Sequence, residues 1–197
     1  MKDTYTYQIG ENLYINLTNR CSNACTFCVR NGKDSYEGHE LWLRGGEPTV
    51  EQVTSQIGDP KRYHEIVFCG FGEPTYRLNE MLEIADYVHA RGGKTRLNTN
   101  GHGNFLNGRN IAPELKDKID GINISLNAPD ENEYNAACQP LIQDAFAQML
   151  NFAKACKESG LDCWFSVVDI IGEEKVDKCR KIAEDLGIPL RVRTYIP

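Results

Sequence analysis

No stretch of the 197 residues approaches the roughly 20 consecutive apolar residues that a membrane-spanning helix requires. The segment Met1-Lys2-Asp3-Thr4-Tyr5 lacks the apolar core of a secretory leader, so a cytoplasmic protein is expected. Positive charge is not in excess. Against 28 Asp and Glu stand 22 Lys and Arg, a formal net charge of −6, which gives no general pull toward nucleic acid or an anionic membrane. The local basic run at Lys175, Lys178, Arg180 and Lys181 reads as the solvated face of one helix. No Pro/Gly/Ser-rich linker and no low-complexity segment interrupts the chain, so one domain over residues 1–197 is expected. The 4 histidines are scattered, and none has a partner at catalytic spacing. Without a leader, the 8 cysteines fit a reducing compartment, where thiols hold metals or fill cores.

Three of those cysteines lie together, in Asn19-Arg20-Cys21-Ser22-Asn23-Ala24-Cys25-Thr26-Phe27-Cys28, directly after a strand-like stretch at 13–18. The spacing C-x₃-C-x₂-C crowds three thiolates into one loop, which suits an iron–sulfur cube in which each cysteine takes one iron corner. The next cysteine is Cys69, so one iron would lack a protein ligand, and an open position marks a catalytic rather than a structural metal site. Structural zinc wants four ligands in two close pairs, and His39 has no partner at ligand spacing. A disulfide would leave an odd thiol. Zinc and plain thiols remain the alternatives to the cluster.

Short apolar strands alternate with amphipathic helices. Residues 5–18 read as a hairpin turning at Gly10-Glu11-Asn12, and a long polar stretch follows the cysteines to about residue 47. A helix over 49–57 begins with a capping box, Thr49 and Gln52, and stops at Gly58. Further strands are expected at 65–69, 94–98, 121–126, 163–168 and 190–195. Helices are expected over about 78–91, around 114–118, and over 139–159 and 173–186. This alternation implies a parallel sheet with right-handed crossovers. Candidate motifs follow several consecutive strands, and a (β/α) barrel gathers all such loops at one face. An open doubly wound sheet would concentrate them at one switch point. The expected class is therefore α/β, a partial (β/α)6 TIM-like barrel.

The cysteine motif resembles that of the radical S-adenosylmethionine (SAM) superfamily, down to the aromatic Phe27 before the last cysteine. The resemblance covers essentially the whole chain and implies a [4Fe–4S] cluster on Cys21, Cys25 and Cys28 whose open iron binds SAM. It implies the same six-unit partial barrel. Gly70-Phe71-Gly72-Glu73-Pro74, after the second strand, is similar to the family's Gly-Gly-Glu motif, with Phe71 where many members have glycine. That likeness assigns the SAM ammonium to a backbone carbonyl of this loop and to Glu73, while Gly72 permits a close approach. A second run, Gly45-Gly46-Glu47-Pro48, matches the letters better but precedes a helix. It is expected at the opposite end of the barrel, as a turn into the Thr49 cap. Asn98-Thr99-Asn100-Gly101 is similar to the Asp-Thr-Asn-Gly run of pyruvate formate-lyase activating enzymes. Ser125 and Asn127 lie two apart and face one side of a strand, where relatives contact the ribose and carboxylate of SAM. Phe27, Phe71, Gly72, Glu73, Asn98, Asn100, Ser125, Asn127 and Asp169 make up the expected cofactor-binding set.

The implied activity is reductive cleavage of SAM to methionine and a 5′-deoxyadenosyl radical, which takes hydrogen from a substrate. An electron donor such as flavodoxin or ferredoxin is implied as partner. The substrate, a small molecule or a protein, is expected on the 29–47 loop, including Arg30, Tyr36, His39, Trp42 and Arg44, and near Asp169, Arg193 and Tyr195. The runs around Cys21 and Gly70 also resemble the short radical SAM proteins associated with TatD-type nucleases. A glycyl-radical activase is the alternative enzyme, and an iron–sulfur electron carrier or redox sensor the alternative without catalysis. The remaining cysteines, Cys69, Cys138, Cys156, Cys163 and Cys179, show no cluster spacing, and a single cluster with no further domain is expected.

Overall fold

Alternating side chains around a glycine open the structure. Strands β1 (Thr6–Ile9) and β2 (Asn12–Ile15) pair antiparallel, and Gly10 occupies the turn at a φ of 57°, which L side chains rarely adopt. The structure is a computed structural model that describes residues 3–195. After the cysteine loop come β3 (Ser35–Tyr36) and β4 (His39–Glu40), a short hairpin of its own. Then follow α1 (Val50–Ile57), β5 (Ile66–Phe68), α2 (Leu78–His89), β6 (Thr95–Thr99), α3 (Gly103–Asn107) and α4 (Ala112–Leu115). The chain continues through β7 (Gly121–Ser125), α5 (Glu131–Cys138), α6 (Ala145–Glu158), β8 (Cys163–Val168), α7 (Glu173–Leu186) and β9 (Leu190–Arg193).

The main sheet has 7 strands in the order β1-β2-β5-β6-β7-β8-β9, and every pair after the first hairpin is parallel. Each strand adds beside its predecessor, so the winding never reverses. That is the order of a barrel, and β1 and β9 close it only in part, since neither pairs with the other. Strand periodicity divides the side chains between two faces. Leu97, Ile122, Ile124, Phe165 and Val167 point outward and are fully buried beneath the helices. Met81 and Ile84 of α2, Met149 and Phe152 of α6 and Cys179 of α7 cover them, each such burial contributing roughly 1.5–3 kcal/mol for a large side chain. Asn98, Asn123 and Ser125 point the other way, into the concave interior. The barrel is apolar outside its sheet and polar within.

The capping box forms as the residues predict: Thr49 N–H donates to Gln52 Oε1 at 2.8 Å, and Gln52 N–H to Thr49 Oγ1 at 3.3 Å. The helix expected over 139–159 begins later, at Ala145, because Gln139 and Asp144 take left-handed φ of 44° and 50° on either side of Pro140. Helix α5 stands before that break, a helix the apolar pattern does not signal, since only Tyr134 and Cys138 on it are buried. The 29–47 segment is not structureless. Leu41 and Leu43 are buried, and Asn16 Nδ2 and Asn19 Nδ2 donate to their carbonyls at 2.7 and 2.9 Å.

Candidate active site

The cysteine loop begins where β2 ends and lies over the C-terminal ends of the parallel strands. Its base is a buried polar knot. Ser22 Oγ–H donates to His102 Nδ1 at 2.9 Å, and the other ring nitrogen faces the Ala145 carbonyl at 3.1 Å and the Tyr134 hydroxyl at 3.2 Å. Burial lowers the pKa of His102 to about 4, so this imidazole is neutral at pH 7 and serves as a donor–acceptor bridge under the loop. Asn23 Nδ2 donates to Tyr134 Oη at 3.1 Å, and the backbone N–H groups of Ala24 and Thr26 bond the end of α5.

Gly72 brings the next loop against this one. A Cβ there would stand 2.3 Å from the Thr18 carbonyl oxygen and 2.5 Å from that of Arg20, so only glycine fits. The close approach that the motif implied is thus made to the cysteine strand. The Glu73 N–H donates to the Arg20 carbonyl at 2.8 Å, and its carboxylate accepts from four donors. Thr75 N–H (3.1 Å), Thr75 Oγ1 (2.7 Å) and Thr99 Oγ1 (2.9 Å) reach Oε1, while Asn100 N–H (2.7 Å) reaches Oε2. Burial raises the Glu73 pKa in spite of these donors, so the carboxylate gains from any cation placed beside it.

These loops surround a cavity of about 270 Å³. Cys21, Cys25, Phe27, Cys28, Phe71, Gly72, Glu73, Asn98, Asn100, Ser125 and Asn127, all assigned from sequence, line it together. Asp169 does not; it lies after β8, exposed, and accepts the Tyr195 N–H at 2.9 Å. Of the expected substrate residues, Tyr36, Arg193 and Tyr195 reach the cavity, whereas Arg30, His39, Trp42 and Arg44 do not line it. Sequence reasoning passed over Asn23, Thr99 and Asn123. Asn123 was within reach of the strand period, two residues before Ser125 on the same face.

Glu47 is not at the opposite end. The 45–48 segment ends the connection from β2 to α1, which also carries the cysteine loop and the β3–β4 hairpin, and a strand-to-helix connection leaves from the C-terminal strand end. Its carboxylate accepts from Thr18 Oγ1 at 2.6 Å and Arg20 Nε at 2.8 Å, and pairs with Arg77 Nη1 at 3.1 Å. It therefore lies on the same face as the cysteines but outside the cavity, braced among arginines.

The thiols are shaped by their neighbours. Burial pushes Cys21 up to about 12 and raises Cys28 as well. Cys25 is raised first by donating its S–H to Cys138, whose own pKa falls through the same bond. Asn127 Nδ2 donates to the Cys138 sulfur at 3.6 Å. Cys138 is thus against the site although nothing in its spacing announces it. Asn23 N–H and Asn100 Nδ2 approach the Cys21 sulfur at 3.5 and 3.8 Å. Among the described residues no three Cys, His, Asp or Glu side chains gather around one point as a single ion requires. Three thiols that line one cavity suit a cube, which offers each its own iron. The cavity also carries unpartnered buried acceptors, Asn23 Oδ1, Asn123 Oδ1 and Asn127 Oδ1. Such groups cost free energy unless a ligand donates to them. The donor set fits a cluster with a polar, donor-rich ligand beside it, and Cys25 must turn from Cys138 to take part.

Among curated protein sequences none matches the chain. The fold is shared with solved structures. One is TYW1 with a lysine–pyruvate adduct bound, at 19% identity and a TM-score of 0.66 over 95% of this chain and 65% of that one. Native anSMEcpe with bound AdoMet aligns at 15% identity and 0.63, over 93% of this chain and 50% of that one. SuiB of Streptococcus suis bound to its precursor peptide SuiA aligns at 17% identity and 0.67, over 94% and 39%. The chain therefore spans less than two thirds of the length of these structures. No helix among the described residues is long and apolar enough to cross a membrane. The family model of the radical SAM superfamily matches residues 15–186, from the end of β2 to the end of α7, and the chain belongs to that superfamily, whose members pair a [4Fe–4S] cluster with SAM.

Proposed function

We propose that this chain is a radical SAM enzyme holding its cluster on Cys21, Cys25 and Cys28 and SAM against Glu73, Asn98, Asn100, Ser125 and Asn127. The observation that carries the reading is the one cavity that the three thiols, Glu73 and the unpartnered asparagine acceptors line together. When bound, the cluster and SAM supply one-electron reductive cleavage and with it a carbon radical able to take hydrogen from a substrate. The protein's part is placement. Glu73 Oε2 has one protein donor and accepts the ammonium of SAM as a second, and the adjoining backbone carbonyl of the Gly70–Glu73 loop faces the same group. Asn123, Asn127 and Ser125 offer acceptors for hydroxyl donors of the ribose. Neutral His102 keeps the floor of the loop uncharged.

The substrate is assigned to the part of the cavity lined by Tyr36, Arg193, Thr194 and Tyr195. β1 and β9 do not pair, and the substrate of this part-open barrel is either a small molecule or a protein segment, the latter being the glycyl-radical activase reading. A soluble flavodoxin or ferredoxin is the proposed electron donor. An iron–sulfur carrier needs no SAM pocket, and this separates the two classes in one experiment. SAM added to the reduced, iron-loaded protein is expected to alter the cluster's paramagnetic signal, because it binds the open iron. A signal indifferent to SAM would favour the carrier.

A further inference from the structure

Two residues past the last cysteine of the motif, Arg30 does not line the cavity; its side chain bonds the backbone of the loops that form it. Its Nη1 donates to the Asn19 carbonyl at 2.9 Å and to the Phe71 carbonyl at 3.1 Å, and its Nη2 to the Asn23 carbonyl at 3.4 Å. Those three carbonyls belong to the exit of β2, the cysteine loop and the loop carrying Glu73. The neighbouring Asn31 adds Nδ2 bonds to the carbonyls of Cys25 (2.8 Å) and Thr26 (3.0 Å), so residues 30 and 31 together clamp the motif. A lysine could not span this arrangement, because only the planar fork presents several donors in fixed directions.

The charge is as notable as the bonds. Arg20, Arg44, Arg77, Arg96, Arg109 and Arg180 each pair with a carboxylate, whereas Arg30, like Arg62, Arg91, Arg191 and Arg193, pairs with none among the described residues. Carbonyl oxygens satisfy its donors without cancelling its charge. The charge is therefore fixed at the Asn23 carbonyl inside the cysteine loop, two residues along the chain from Cys28.

We propose that Arg30 is a positioning residue with an electronic role: it fixes the cysteine loop to the Gly70–Glu73 loop and holds an uncompensated positive charge beside the cluster, which favours the cluster's reduction. The inference rests on the cluster assignment above. Reduction adds one electron and therefore one unit of negative charge to a group already ligated by three thiolates, and a fixed nearby cation stabilises the product more than the reactant. The reducing electron comes from the external donor, and no proton need move.

The test is a redox titration of anaerobically reconstituted protein, followed by the paramagnetic signal of the reduced cluster, with iron content measured alongside. Arg30→Gln keeps an amide donor for the carbonyls and removes the charge; Arg30→Lys keeps the charge and removes the fork. The glutamine variant is expected to hold iron but to be harder to reduce by about tenfold in the equilibrium constant, equal to about 59 mV for a one-electron couple. The lysine variant is expected to stay within about threefold of the parent, the smaller part of that range. Iron-loaded variants that share the parent's potential, or a lysine variant shifted as far as the glutamine one, would overturn the electronic role. Parent protein that takes up no iron at all would instead overturn the cluster assignment, so the two failures are distinct.

Discussion

Replacing Cys21, Cys25 or Cys28 by alanine is expected to bring anaerobically reconstituted protein from about four irons per chain to a small fraction of that, and to abolish the paramagnetic signal of the reduced cluster. Each thiolate holds a separate corner, and a cube with two protein ligands has two open irons exposed to exchange. Cys179→Ala is the control for a buried thiol with no site role, since its side chain packs between α7 and the sheet. Cys138→Ala is the sharper control. Cys138 contacts Cys25, yet it is held by Asn127 at the end of α5, outside the three-residue set. Full iron content in Cys138→Ala supports the assignment. Iron loss equal to that of Cys25→Ala would make Cys138 a ligand and force a different cluster geometry.

Glu73→Gln is expected to weaken SAM binding to the iron-loaded protein by on the order of 1–3 kcal/mol, the scale of a hydrogen bond to a charged group. The variant also disturbs the protein itself. A glutamine cannot accept at both ends, so its amide NH₂ must face either the Asn100 N–H or the three donors on Oε1. Leaving one of those buried donors unpaired costs roughly 1–3 kcal/mol of stability. SAM affinity should therefore be measured by titration at a temperature where both proteins are folded. Glu47→Gln supplies the comparison, because Glu47 accepts from Arg20 and Arg77 on the outer side of the same loops and is about one third exposed. Its loss should leave SAM affinity unchanged and cost stability on the scale of an exposed ion pair, about 0–1 kcal/mol. Equal losses of SAM affinity in the two variants would mean that the wrong Gly-Glu-Pro segment had been assigned to the ammonium.

Local signals carried the fold further than the site. Strand β8 and helix α7 lie where the sequence pattern places them, because a run of apolar residues bounded by glycines and a strong 3.6-residue stripe leave few alternatives. The Thr49 box is equally local. Helix α5 was hidden because most of it is exposed, although Asp130 followed by Glu133 is a capping signal, and the Asp130 side chain does accept the Glu133 N–H at 2.9 Å. Gly72 could be recognised as a special position, but not for its actual reason, a contact with carbonyls some fifty residues earlier in the chain. Cys138 and Arg30 belong to the same class. Their roles come from tertiary contacts, Cys25 to Cys138 and Arg30 to Phe71, that no spacing rule encodes. Glu47 was misplaced by an error of connectivity: the turn into a helix after a strand lies at that strand's C-terminal end, where the chemistry is.

Product analysis of reduced, iron-loaded protein given SAM alone reads out the cleavage chemistry itself. Without substrate the radical is quenched by whatever hydrogen is at hand, so turnover should be slow and uncoupled. 5′-Deoxyadenosine and methionine are expected in equal amounts, both absent when Cys25 is replaced by alanine. S-adenosylhomocysteine or methylthioadenosine as the main product would contradict it, since those require transfer of a methyl or aminocarboxypropyl group rather than release of a 5′-deoxyadenosyl radical.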